Sequence, residues 1–210
     1  MGLNETILLR QERGMRLHNQ RMLLVINLWL ALSVFLRFLF ADNSISFDYQ
    51  FYIQFFEEVS ALDIRLFLER SLGSFPYFPW ADSGKFEIGI AFVAFFLGKF
   101  LEPAVLYALI AAVSILIKLE IFRSFGLGLY KTLIFYVFDV VLFESNALRA
   151  GLALTFILIS CWAILKKDSI PLFVVSIALS ALFHISTLSL FLICGAAVLM
   201  HRLKMRGGPV

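Results

Sequence analysis

The sequence predicts an all-α, polytopic integral membrane protein. About six spanning helices are expected, with one short re-entrant or shallow segment and an amphipathic helix on the outer face. Three observations carry this. Of 210 residues, 61% are hydrophobic and 24 are phenylalanine, and the mean hydropathy is +0.90. That is more apolar surface than a soluble core of this length encloses. The apolar residues fall into long runs separated by short polar connectors. The basic residues gather at the N-terminus and in those connectors, as topology control requires. A formal charge of +3 in this distribution excludes a nucleic-acid partner and leaves membrane lipids as the surrounding partner.

Residues 1–21 form a basic N-terminal segment carrying Arg10, Arg13, Arg16 and Arg21, which holds the N-terminus in the cytoplasm. The first apolar run, 22–41, has the ~20 residues that cross a bilayer. It lacks a small-residue cleavage site and reads as an uncleaved first helix. The membrane domain extends over 22–200. Its polar outer loop, 42–85, holds seven acidic and three basic residues. Within it, 50–69 places Tyr52, Phe55, Phe56, Val59, Leu62 and Leu66 on one helical face, suited to lying along the membrane surface. Asp63 and Arg70 interrupt that face, so a break near Leu62 is compatible with it. The stretch SFPYFPWADSG follows and reads as an irregular loop. Tyr77, Phe78 and Trp80 serve there either as interfacial anchors or as a sugar-stacking platform.

Further apolar runs cover 86–97, 104–117, 132–143, 148–165 and 170–200. If each crossed once, the connectors with Lys118, Arg123 and Lys131, the pair Lys166 and Lys167, and the tail 201–210 would all face outward. One non-crossing segment removes the conflict, and 86–97 is the shortest run. The 31-residue run then divides at Phe183-His184-Ile185-Ser186. Three polar clusters, around Asp48, Arg149 and His184, come to the outer side.

Ionisable groups at membrane depth cost about 2.5–3.5 kcal/mol on insertion scales and face a cavity or a partner. Arg149 shares a helical face with Ser145 and Asn146. It pairs with Glu144 at the helix entrance, snorkels to the headgroups, or grips an oxyanion with its planar fork. His184 is either a hydrogen-bonded structural residue or a base. Glu87 is either a helix-start carboxylate favoured by the dipole or a general acid or base. Arg37 reads as snorkelling near the outer end of the first helix. Cys161 and Cys194 lie in apolar runs and read as small hydrophobes. No His/Cys/carboxylate cluster has metal spacing, and no nucleotide loop, nucleophile elbow or redox pair is present. Neither a metal nor a cofactor is expected.

The stretch FESNALRAGLALTFILISCWAILKKDSIPLFVVSIALSALFHIST resembles the core signature of the EpsG-type, Wzy-like polysaccharide polymerases. The matching positions are Asn146, Arg149 and Ala153, then Lys166-Lys167, then Phe183-His184-Ile185-Ser186. FDYQFY, with Asp48, Tyr49 and Tyr52, resembles the family's D-Y-x-x-Y motif, and Glu87-Ile88-Gly89 its E-x-G. The resemblance covers about residues 46–195. Family members run further beyond the histidine helix and carry an extra N-terminal helix where this chain has its arginine-rich segment. The resemblance implies a bacterial inner-membrane, metal-independent glycosyltransferase. It would join undecaprenyl-pyrophosphate-linked oligosaccharide units with inversion at the outer face, among other polysaccharide synthesis proteins. It implies Arg149, Asn146, Tyr49 and Tyr52 for substrate binding, with His184, Asp48 or Glu87 as base. A non-enzymatic assembly subunit or a lipid-linked sugar transporter is the competing expectation.

Overall fold

A computed structural model describes residues 3–40, 47–80, 84–139, 148–187, 189 and 195–196, without the side chains of 3–20, 47, 48, 80, 84 and 85. The described chain is mostly helical: α1 Leu3–Leu39, α2 Phe47–Ser60, α3 Ile64–Gly73, α4 Ile88–Leu97, α5 Pro103–Ser124, α6 Leu129–Asp139, α7 Leu148–Lys166 and α8 Ile170–Phe183. Between α3 and α4 lies a two-stranded antiparallel hairpin, β1 Tyr77–Trp80 and β2 Gly84–Glu87, with Tyr77 opposite Glu87.

Among the described residues three helical stretches are long and apolar enough to cross a membrane: Arg21–Leu39, Pro103–Ser124 and Leu148–Lys166. α4 and α8 are apolar but shorter. At 1.5 Å per residue α4 rises only ~15 Å and α8 ~21 Å. α1 packs along α5, α5 along α7, and α7 along α8, while α2 and α4 pack together and α4 also meets α8. Polar side chains tie this row of helices at separate levels. Asn27 on α1 donates to Glu120 on α5 at 3.0 Å, the Ser114 and Thr155 hydroxyls join α5 to α7 at 2.8 Å, and Ser180 on α8 bonds the Ala153 carbonyl of α7 at 3.0 Å.

Two sequence expectations change at this level. The described part of the basic segment 1–21, from Leu3, is helical and continuous with α1. The amphipathic stretch over 50–69 breaks near Leu62 into two helices, as its interruption allowed. Asp63, which interrupted the apolar face, caps α3 by accepting from the Leu66 amide at 2.8 Å, the use for which a short carboxylate at a helix start is favoured. The apolar face of α2 meets protein: Tyr52, Phe55, Phe56 and Val59 are all buried. Finally, SFPYFPW is not irregular, since its second half forms β1. Phe78 is no headgroup anchor: its fully buried ring packs against Phe67 at 5.5 Å and Phe55 at 6.3 Å. Aromatic residues on a strand favour such half-covered packing over solvent. Tyr77 is half-buried, and the side chain of Trp80 is outside the described set.

The break in the last apolar run falls where the sequence places it. α8 stops at Phe183, and His184 takes extended backbone (φ −161°, ψ 104°) while its amide closes on the Ser180 carbonyl at 3.0 Å. Thr187 then donates to the His184 carbonyl at 2.6 Å and bonds Ser180 at 2.9 Å, so the corner is held by hydroxyls on both sides.

Candidate functional site

An aromatic floor comes first. Tyr107 of α5 meets Phe38 of α1 at 5.0 Å and, from α2, Tyr49 at 4.9 Å and Tyr52 at 5.6 Å, all edge-on. Phe86 of β2 stacks on Phe55 at 4.1 Å and meets Tyr52 at 5.5 Å. These edge-to-face pairs fix ring orientations as well as burying area. The Tyr52 hydroxyl is thereby aimed at the start of α7. Tyr49 is directed elsewhere: its hydroxyl donates to the Phe38 carbonyl at 3.3 Å, and burial raises its ionisation above the ordinary phenol value, which keeps it a donor.

On this floor sits Glu87, which ends β2 and takes the N-cap position of α4 without capping it through its side chain. One carboxylate oxygen pairs with Arg149 Nη1, and the other lies 2.9 Å from His184 Nδ1. Arg149 Nε donates to the Tyr52 hydroxyl at 3.1 Å, the Arg149 amide reaches the same oxygen at 3.3 Å, and the guanidinium lies 4.7 Å from the Phe86 ring centre. Four segments distant in sequence, α2, the β2–α4 junction, the start of α7 and the end of α8, thus meet around the Glu87–Arg149 pair.

Glu87 is 4% exposed, whereas the side chains of Arg149 and His184 are 30% and 34% exposed. The carboxylate is therefore the inner member and the two nitrogen groups form the accessible edge. With Glu87 ionised, His184 Nδ1 donates to it, and in the neutral ring Nε2 is the basic nitrogen. Glu87 balances the charge of Arg149, and the positive end of α4 favours an anion at this position.

Gly89 explains how α4 and α8 come this close. A Cβ there would lie 2.7 Å from the Leu182 carbonyl oxygen, so any side chain forces the two helices apart. Leu182 is two residues before His184 and Gly89 two after Glu87. The glycine of E-x-G and the histidine corner are parts of one contact.

Of the residues singled out from sequence, Tyr52, Glu87, Arg149 and His184 come together. Tyr49 supports the floor against Tyr107 and bonds the Phe38 carbonyl. The side chain of Asp48 and all of Asn146 lie outside the described residues, as do Glu144 and Cys194. The alternative in which Arg149 pairs with Glu144 gains a concrete rival in the Glu87 pair.

Sequence reading missed Phe86 and a second charged group. Lys118 Nζ lies 2.8 Å and 3.0 Å from the two carboxylate oxygens of Asp139, with both side chains fully buried. Lys118 is therefore not an exposed residue of a basic connector. It sits inside α5, and its carboxylate partner neutralises it there. The signal was present, since Lys118 and Asp139 each interrupt an apolar run, and an isolated charge in such a run calls for a partner. Among the described residues no three His, Cys, Asp or Glu side chains gather as a metal ion would need. Compared with known proteins, the chain matches no family model, no curated protein and no solved structure.

Proposed function

We propose that the chain is a membrane polysaccharide polymerase of the EpsG-type, Wzy-like kind. It would join oligosaccharide units carried on undecaprenyl pyrophosphate by inverting glycosyl transfer at the outer face of the bacterial inner membrane. The observation that carries the reading is the meeting of Tyr52, Glu87, Arg149 and His184 at one partly open group, because these residues come from separate motifs of the family resemblance.

The arrangement fits the chemistry. The leaving group is a lipid pyrophosphate, and a guanidinium at membrane depth can take up the charge that develops on it. Arg149 takes that role, with Tyr52 and Phe86 holding its plane. The acceptor hydroxyl must lose a proton as it attacks the anomeric carbon. His184 Nε2 accepts it, while Glu87 orients the ring from Nδ1. The C–O bond to the pyrophosphate breaks as the new C–O bond forms on the opposite face, which inverts the centre. In this reading α4 does not cross, since ~15 Å of helix falls well short of the ~30 Å hydrocarbon layer. The basic connectors then face the cytoplasm with the N-terminus.

The test gives purified protein a lipid-pyrophosphate-linked repeat unit and follows chain length on a gel. Elongation by the wild type, reduced at least about 100-fold in Arg149→Ala, is expected. Intact lipid-sugar binding without elongation by the wild type would overturn the enzyme reading and favour a transporter or a non-enzymatic assembly subunit.

A further inference from the structure

At the other end of α7 lies a second feature that the polymerase reading does not use. The last two turns of α5, the C-terminal half of α7 and the first turn of α8 enclose a cavity of about 650 Å³, within the ~300–1,000 Å³ range of ligand clefts. Its walls are apolar: Leu116, Ile117, Ile121, Ile159, Trp162 and Leu172. Its polar edge comes entirely from the end of α5, with Glu120, Arg123 and Ser124.

Cations collect at this edge. Arg123 lines the cavity and pairs with Glu120 at 2.6 Å. Lys167 lies over the ring of Trp162, a wall residue, at 5.2 Å. Lys166 lies over Phe125, the residue after Ser124, at 5.4 Å. Asp168 is the further carboxylate of the turn. Three cations against two carboxylates, Glu120 and Asp168, leave one positive charge among the described residues. The start of α8, capped by Ser169, adds its positive dipole end to the same place. Beside the cavity Leu165, Ile170 and Val174 are exposed, so it borders an apolar surface rather than a water-filled cleft. A ligand suited to it has an acyl chain for the walls and one negative charge for the edge.

We infer that this cavity is a binding site for a phospholipid with an anionic headgroup, its acyl chain along Ile159, Trp162 and Leu172 and its phosphodiester at Arg123, Lys166 and Lys167. The site rests on α5 and α7 standing in a membrane and not on the polymerase reading. Its failure would leave the Arg149 group untouched, and the reverse holds too.

Trp162 is a built-in reporter. A Trp29→Phe, Trp80→Phe variant is placed in phosphatidylcholine nanodiscs in which a minor fraction of the lipid is brominated phosphatidylglycerol or brominated phosphatidylcholine. The expected result is several-fold stronger quenching of Trp162 by the brominated phosphatidylglycerol, relieved by unlabelled phosphatidylglycerol. Lys166→Gln with Lys167→Gln lowers that preference by about fivefold for each cation removed. Native mass spectrometry of the unaltered protein, given both lipids in equal amounts, reads the same preference as an excess of retained phosphatidylglycerol, independently of whether the tryptophan variant folds. Equal quenching and equal retention of the two lipids, absence of quenching by either, or a preference unchanged in the double lysine variant would each overturn the site.

Discussion

Two buried carboxylates among the described residues, Asp139 and Glu87, sit in charged groups that are built differently. Lys118 and Asp139 form a buried ion pair, with no exposure on either side chain. At the Arg149 group one buried carboxylate is shared by a guanidinium and an imidazole, and both of those are about a third exposed. A fully buried pair is out of a ligand's reach, so its consequence is to hold α6 against α5. A shared carboxylate with two accessible nitrogen groups fixes their orientation and leaves them an open edge. The contrast singles out the Arg149 group as the candidate site by how its charge is enclosed rather than by its presence.

The comparison breaks first at the buried pair. Lys118→Met or Asp139→Leu alone strands a buried charge and should cost about 3–5 kcal/mol, whereas the double variant should recover most of it. Thermal unfolding in detergent measures this. A double variant as unstable as the singles would mean the pair does more than cancel its own charges. In the proposed polymerase reading, elongation by the double variant should match the wild type.

Arg149→Lys sharpens the other side of the contrast. It keeps the charge but loses the fork that reaches Tyr52 and Glu87 together. In the proposed polymerase reading, elongation should fall by about 100-fold with a smaller loss of stability than at Lys118. Elongation undiminished in Arg149→Lys would show that charge alone suffices and that the fork's geometry is incidental.

The smallest expected effect is at Gly89. Gly89→Ala drives a methyl group into the Leu182 carbonyl, and overpacking of this kind costs about 1–3 kcal/mol. The informative readout is the ratio between the two losses: elongation should fall further than stability, because the Glu87–His184 bond opens. Proportional losses would make Gly89 a packing residue only.

Much of this molecule could be read from its residues. The spans at α1, α5 and α7 follow from the length and hydropathy of their runs, and the end of α8 at Phe183 from a polar corner in a run too long for one helix. Tyr52, Glu87, Arg149 and His184 stood out as costly or placed by motif, without any sign of who partners whom. Asp63 was read by its position on a helical face, when its short side chain was capping the next helix. Phe78 was read as an anchor because prolines and aromatics surround it, but strand pairing turned its ring inward.

Sequence by itself determined the helical class, the apolar spans and the list of charges needing an explanation, because hydropathy and periodicity are local properties of the chain. Only the tertiary structure decided that Glu87 lies between Arg149 and His184 and that Lys118 closes on Asp139. Those contacts join residues 62, 97 and 21 positions apart. The first two depend on a glycine small enough to let α4 touch α8 and on an aromatic floor that aims Tyr52, and neither is encoded in any single stretch.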